Sequence, residues 1–115
     1  MKKLILLFSF VLLGLNLSSQ IDSVGIYINR GISYDNLGKF KLALIDFNNA
    51  IRINPNYAMA YYNRGVAYNG LGKYKLALDD FNNAIRINPN YAIAYYNRGV
   101  VYVNLGKYQL ALDDF

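Results

Sequence analysis

The chain has 115 residues, room for one domain, and its 12 Lys and Arg against 7 acidic side chains give a formal net charge of +5. Every acid is an aspartate, and His, Cys, Trp and Glu are all missing. That composition excludes metal centres built on His or Cys, thiol nucleophiles, imidazole bases and paired glutamates.

The N-terminus reads as a targeting segment. Met1-Lys2-Lys3 is a short basic start, residues 4–15 are apolar except for Ser9 and Gly14, and residues 16–20 turn small and polar. This is the three-part layout of a secretory signal. Extended to Leu17, the apolar run is still shorter than the roughly 20 residues a spanning helix needs. Residues 1–20 are therefore expected to be a signal peptide cleaved near Gln20, beside the small Ser18 and Ser19. A retained N-terminal membrane anchor is the alternative. With no cysteine to carry a lipid, a lipoprotein is not expected. Without Lys2 and Lys3 the balance is ten basic side chains to seven aspartates, a net +3. That is too small to imply nucleic acid, and the basic residues recur at fixed places instead of massing in a patch.

From Val24 onward the chain repeats itself every 34 residues. Asn29-Arg30-Gly31 returns at Asn63-Arg64-Gly65 and Asn97-Arg98-Gly99, and Leu37-Gly38-Lys39 returns twice in the same way. Residues 24–57 and 58–91 agree at 24 of 34 positions, and 92–115 agrees with 58–81 at 19 of 24. A fixed period of this size marks stacked supersecondary units, each burying its apolar face against its neighbours. The units are 24–57, 58–91 and an incomplete 92–115.

Within the middle unit, Tyr61, Gly65, Tyr68 and Leu71 fall at helical spacing over 58–71. Gly72 supplies the positive φ that ends a helix, and Lys73 suits the negative end of the helix dipole. A second helix is expected over 74–88, with Tyr74, Ala77, Leu78, Phe81, Ala84 and Ile85 on its apolar face. Asn88-Pro89-Asn90 closes it, and Asn90 is a candidate N-cap for the next unit. Each unit is thus a helix hairpin. A mid-helix glycine costs about 1 kcal/mol against alanine. Gly31, Gly65 and Gly99 are therefore expected to make room for a bulky neighbour, with Phe81 and Tyr68 the candidates beside Gly65.

Tyr61, Arg64, Gly65 and Tyr68, followed by Ala77, Phe81, Ala84 and Pro89, resemble the tetratricopeptide repeat. The resemblance covers essentially all of 24–115. It implies an all-α fold, an alpha-alpha superhelix of antiparallel helix hairpins. Tyr27, Tyr61 and Tyr95 stand where the family commonly has Trp, which keeps an aromatic knob. Arg30, Arg64 and Arg98 stand in place of Leu and need a wet or paired charge. Pairing with the preceding second helix, Asp46 to Arg64 and Asp80 to Arg98, is expected.

The first helix of each unit carries another stripe at offsets of three or four. It comprises Gly25, Ile28, Asn29, Ile32 and Asp35, then Met59, Tyr62, Asn63, Val66 and Asn69, then Ile93, Tyr96, Asn97, Val100 and Val103. In tetratricopeptide proteins the first helices line a concave groove that receives a partner segment. The resemblance thus implies a partner-binding surface at Ile28, Asn29, Met59, Tyr62, Asn63, Val66, Asn69, Tyr96, Asn97 and Val100. Val66 and Val100 serve equally well as packing between units. Tyr62 and Tyr96 suit a half-wet groove. Asn63 and Asn97 could hold a ligand's backbone or bond neighbouring helices. Family members that clamp a carboxylate use Lys and Asn of the first helices. Here Ile28 and Ile32 occupy such places and only Asn63 matches, so no carboxylate clamp is expected.

Nothing in the chain reads as catalytic. Asp79-Asp80 and Asp113-Asp114 point to different helix faces, and Leu-Gly-Lys is a turn that lacks the long glycine-rich loop of a phosphate cradle. No cofactor or metal is expected. Phe115 falls in the middle of an expected helix, and solenoids generally need a polar cap, so a truncated chain is expected, with end-to-end self-association open to an uncapped stack. The reading is a non-catalytic, exported scaffold of the periplasm or cell envelope that binds a protein or peptide. The alternative is the regulatory or sensor front end of a larger enzyme or signalling protein.

Overall fold

A computed structural model describes residues 23–115; the expected signal segment at 1–20 lies outside the described residues. The described chain is all helix and connecting turns, with no strand. Helix α1 covers 23–36, followed by α2 (Phe40–Ile53), α3 (Ala58–Gly70), α4 (Tyr74–Ile87), α5 (Ala92–Asn104) and α6 (Tyr108–Asp114). Successive pairs form antiparallel hairpins, and each hairpin stacks on the one before it, as the 34-residue period requires.

The three-residue turns within hairpins are set by one glycine each. At the end of α3, Gly72 takes φ +71°. Its N–H then reaches Asn69 O at 3.0 Å while that of Lys73 reaches Tyr68 O at 2.9 Å. These two bonds are the Schellman arrangement, which satisfies carbonyls that a helix end leaves open. Gly38 and Gly106 repeat the geometry. Lys73 is also the N-cap residue of α4, so the expected dipole benefit at the end of α3 is offset by the positive start of α4. Between hairpins, Asn90 does not cap α5: Tyr91 is the N-cap residue and makes no side-chain cap bond. The Asn90 N–H instead donates to Asn88 Oδ1 at 3.2 Å, and Asn56 donates to Asn54 in the same way. Such asparagine turns give the chain local bonds on either side of proline.

Small residues let the helices of a hairpin approach. Ala43, Ala50, Ala60, Ala67, Ala77, Ala84 and Ala94 are all fully buried, and so are Phe47 and Phe81. A methyl added at Gly65 would lie 2.8 Å from Phe81 Cε1, and one at Gly31 2.5 Å from Phe47 Cε1. Phenylalanine is the nearest side chain beside both glycines, with Asp80 Cβ next at Gly65. Tyr68, the other expected occupant, is half-buried and lies against Arg64 instead, 5.9 Å from guanidinium carbon to ring centre.

The arginines pair differently from the expectation. Arg30 binds Asp46, Arg64 binds Asp80 and Arg98 binds Asp114, each through two hydrogen bonds within one hairpin. For Arg64 they measure 2.9 Å from Nε to Asp80 Oδ2 and 2.7 Å from Nη2 to Oδ1. The preceding hairpin contributes an asparagine: Arg64 Nη1 donates to Asn48 Oδ1 at 3.0 Å, and Arg98 Nη1 to Asn82 Oδ1 at 2.9 Å. The reason lies in helix rotation. Asp46 and Asn48 are two residues, hence roughly 200°, apart around α2. Asp46 therefore faces its own hairpin while Asn48 faces the next. Burial pushes the Asp80 carboxyl up, and Asp80 in turn holds the Arg64 guanidinium above its ordinary value.

Candidate partner-binding surface

The stripe on α1, α3 and α5 is where a partner could be received, and the structure distributes its members unevenly. Ile28 is 3 % exposed and joins the core around Phe47, with Tyr57 packed on the same cluster. It is a core residue and offers no surface. At the same repeat position Tyr62 is half-buried and Tyr96 is 56 % exposed. Tyr62 is covered by Tyr91 and tied to Asn97 of the next hairpin, contacts for which Tyr96 has no counterpart among the described residues. Asn29 is exposed, and Met59 is 39 % exposed. Val66 and Val100 are half-buried, and Val66 packs against the cluster of Ala77, Phe81 and Val101, so it serves packing more than display.

Tyr62 is the centre of the surface. Its ring lies 5.9 Å from that of Phe81 and 5.2 Å from that of Tyr91, tilted in both cases. Its hydroxyl accepts a 2.9 Å hydrogen bond from Asn97 Nδ2, which ties α3 to α5. The same amide also donates to Ile93 O at 3.0 Å. Asn97 therefore bonds a neighbouring helix, one of the two roles left open for it. Asn63 Nδ2 donates to Met59 O at 2.8 Å within its own helix. Burial raises the Tyr62 phenol, with the Asp35 charge acting in the same direction, and burial likewise raises Tyr91.

Two acceptors on the stripe have no donor. Asp35 Oδ1 and Asn69 Oδ1 are buried and accept no hydrogen bond. They occupy the same register, one repeat apart. Burial raises the Asp35 carboxyl above the usual carboxylate range.

Tyr57 and Tyr91, in the segments between hairpins, were not among the expected site residues. Tyr91 packs its ring at a tilt against Tyr62, and the Tyr57 hydroxyl lies 3.6 Å from Met59 Sδ. Their recurrence at the 34-residue period beside proline is the signal that marks them. The Trp-replacing tyrosines have a second use: Tyr61 and Tyr95 donate their hydroxyls to Pro55 O at 2.9 Å and Pro89 O at 3.1 Å. A cleft of about 380 Å³ between α4, α5 and the following turn, lined by Lys75, Leu78, Asp79, Tyr102 and Lys107 among others, takes nothing from the stripe. Among the described residues no three acidic, His or Cys side chains gather as a metal site, and no helix is long and apolar enough to cross a membrane.

Residues 25–57 and 58–91 each match one family model described as tetratricopeptide repeat, and 81–113 match a second model of the same description. No curated protein matches the chain. Among solved structures, the second repeat domain of Spaghetti (RPAP3), bound to the HSP90 peptide SRMEEVD, is similar at 28% identity and a TM-score of 0.78. That match covers 85% of this chain and 93% of that one. MamA is similar at 28% identity over 85% of this chain and 57% of its own, with a TM-score of 0.76. The TPR2B domain of yeast Sti1, in a pHsp70 complex, is similar at 25% identity over 80% of this chain and 74% of that one, with a TM-score of 0.78.

Proposed function

The chain belongs to the tetratricopeptide repeat family, and from that footing we propose that it is a non-catalytic scaffold binding a polypeptide segment along the stripe of α1, α3 and α5. The observation that carries this reading is the likeness, over nearly the whole of the compared domain, to a repeat domain holding a bound peptide. The surface suits the task. Met59 and Tyr96 are exposed apolar side chains beside the Tyr62–Asn97 bridge, so contact area and polar register marks lie together. Tyrosine gives a large, stiff contact with one polar tip, which binds at little cost in conformational entropy.

Export belongs to the same proposal: residues 1–20 act as a cleaved signal and the scaffold works in the periplasm or cell envelope. Mapping the N-terminus of the exported protein tests this, and material that begins at Met1 would refute cleavage.

The binding test uses exposed positions, because Tyr62→Ala would also strip packing from Phe81. Immobilised full-length chain is offered envelope extract, and captured proteins are compared with those held by Met59→Ser, Tyr96→Ala and the outer-face control Lys75→Ala. A partner lost with the first two variants and kept with the third is the expected outcome. Equal capture by all four forms would remove the stripe as the binding surface.

A further inference from the structure

We propose that the edge formed by the three Leu-Gly-Lys turns is a docking surface for an anionic lipid bilayer, with lysines on the headgroup phosphates and neighbouring leucines in the acyl boundary. This surface lies apart from the stripe and does not depend on it.

The first argument is where the lysines stand. All five lysines of the described residues, Lys39, Lys41, Lys73, Lys75 and Lys107, lie in a turn or at the start of the helix after it. Along the sequence they are spread over three units, but stacking sets the units side by side and makes them one row. Each is exposed, and the ion pairs of the described residues all belong to arginines. Asp79 and Asp113 are exposed one turn deeper in α4 and α6, and Asp35 is half-buried at the end of α1. Lysine carries its charge on a long stem, beyond the reach of so short an acid. The outermost charge of the edge is positive.

The second argument is what stands between the lysines. Leu37, Leu42, Leu76, Leu105 and Leu110 are between 40 % and 69 % exposed. They are not scattered. A notch at the first turn is lined by Lys39, Lys41 and Leu42 together with Leu71 of the next hairpin. The cleft beside α5 likewise brings Lys75 and Lys107 next to Leu105. Apolar side chains grouped on a surface mark an interaction site. A nucleic acid would answer the charge through its phosphates but leave the leucines wet, since its bases favour aromatic side chains. A bilayer surface takes both kinds of side chain: anionic headgroups attract lysine, and apolar groups sink roughly 5–10 Å into the boundary. The two Asn-Pro-Asn turns at the opposite edge carry neither lysine nor leucine.

The chain has no cysteine, so one introduced thiol takes a single polarity-sensitive dye. Leu76→Cys reports the proposed edge, and Asn88→Cys reports the opposite one. Each labelled full-length chain is titrated with vesicles of phosphatidylcholine alone, or of equal parts phosphatidylcholine and phosphatidylglycerol. The dye on Leu76→Cys should shift to the blue with the anionic vesicles only, while the dye on Asn88→Cys stays in water. Adding Lys41→Gln and Lys75→Gln should weaken that binding about thirtyfold, at roughly fivefold for each lysine. The fold accepts glutamine there, because α6 carries Gln109 at the same register. An equal shift on Asn88→Cys would assign the contact to another part of the chain, residues 4–15 included, and would overturn the proposal. So would an equal shift with neutral vesicles, an affinity indifferent to the two glutamines, or no shift at all. Lysine-dependent capture by immobilised polyphosphate, without a shift on vesicles, would assign the edge to a soluble polyanion and overturn the lipid.

Discussion

Substituting Gly65 by alanine sets two opposing effects against each other, and the structure decides which is larger. The new methyl would sit 2.8 Å from Phe81 Cε1, 3.0 Å from Cδ1 and 3.2 Å from Asp80 Cβ. Carbon atoms are comfortable at 3.5–4.0 Å, so the ring must retreat by roughly 0.7 Å. Phe81 has no exposed surface through which to retreat, and Asp80 is tied to Arg64. Helix propensity returns about 1 kcal/mol on replacing glycine by alanine, whereas overpacking a core costs about 1–3 kcal/mol. The expected net loss is about 1 kcal/mol, equal to a fall in melting temperature of about 4–8 °C for a domain of this size. Gly25→Ala is the internal control, since a methyl there would meet nothing within 4 Å and only the propensity gain remains. Gly65→Leu should cost more than the alanine variant, and adding Phe81→Leu to Gly65→Ala should recover part of the loss by vacating the contact. Urea melts followed by circular dichroism at 222 nm read all four. If Gly65→Ala matched or exceeded the parent while Gly25→Ala gained stability, the close approach of α3 and α4 would be refuted.

Two further outcomes follow from the ion pairs and the tyrosines. A double-mutant cycle on Arg64 and Asp80 should give a coupling of about 1–3 kcal/mol, because Asp80 is buried and bound twice. The cycle on Arg64 and Asp46 should give none. Alkaline titration offers the other test: burial raises Tyr62 and Tyr91 above the ordinary 10.0. Their contribution to stability is whole below pH 10 and is lost as pH rises through the raised folded-state values. Helical signal should therefore decline on that rise, and Tyr91→Phe should flatten the decline; identical profiles for the two proteins would sink the assignment.

Much of this architecture could be read directly from the residues. The 34-residue period, the Gly-Lys turns and the prolines give the helix limits to within a residue or two, because each acts through local backbone geometry. The glycine-to-phenylalanine contact is legible for the same reason: an otherwise costly residue recurs where only space explains it. The partners of the arginines are less accessible. Arg64 stands 18 residues after Asp46 and 16 before Asp80, and only the rotation of α2 decides between them. Ile28 fails as a surface residue because burial depends on what the next hairpin lays over the position, which the residue itself does not disclose. Tyr57 and Tyr91 escape notice because an aromatic next to a proline turn reads as a spacer until the neighbouring helix is in place.

Arg64 touches two hairpins with unequal grip. It holds Asp80 by paired ionic bonds and Asn48 by a single bond to a neutral amide. Charge-assisted bonds are roughly twice as strong as neutral ones. Under tension along the array, the amide link to Asn48 should therefore part before the paired bonds to Asp80, and a strained Arg64 stays with its own hairpin.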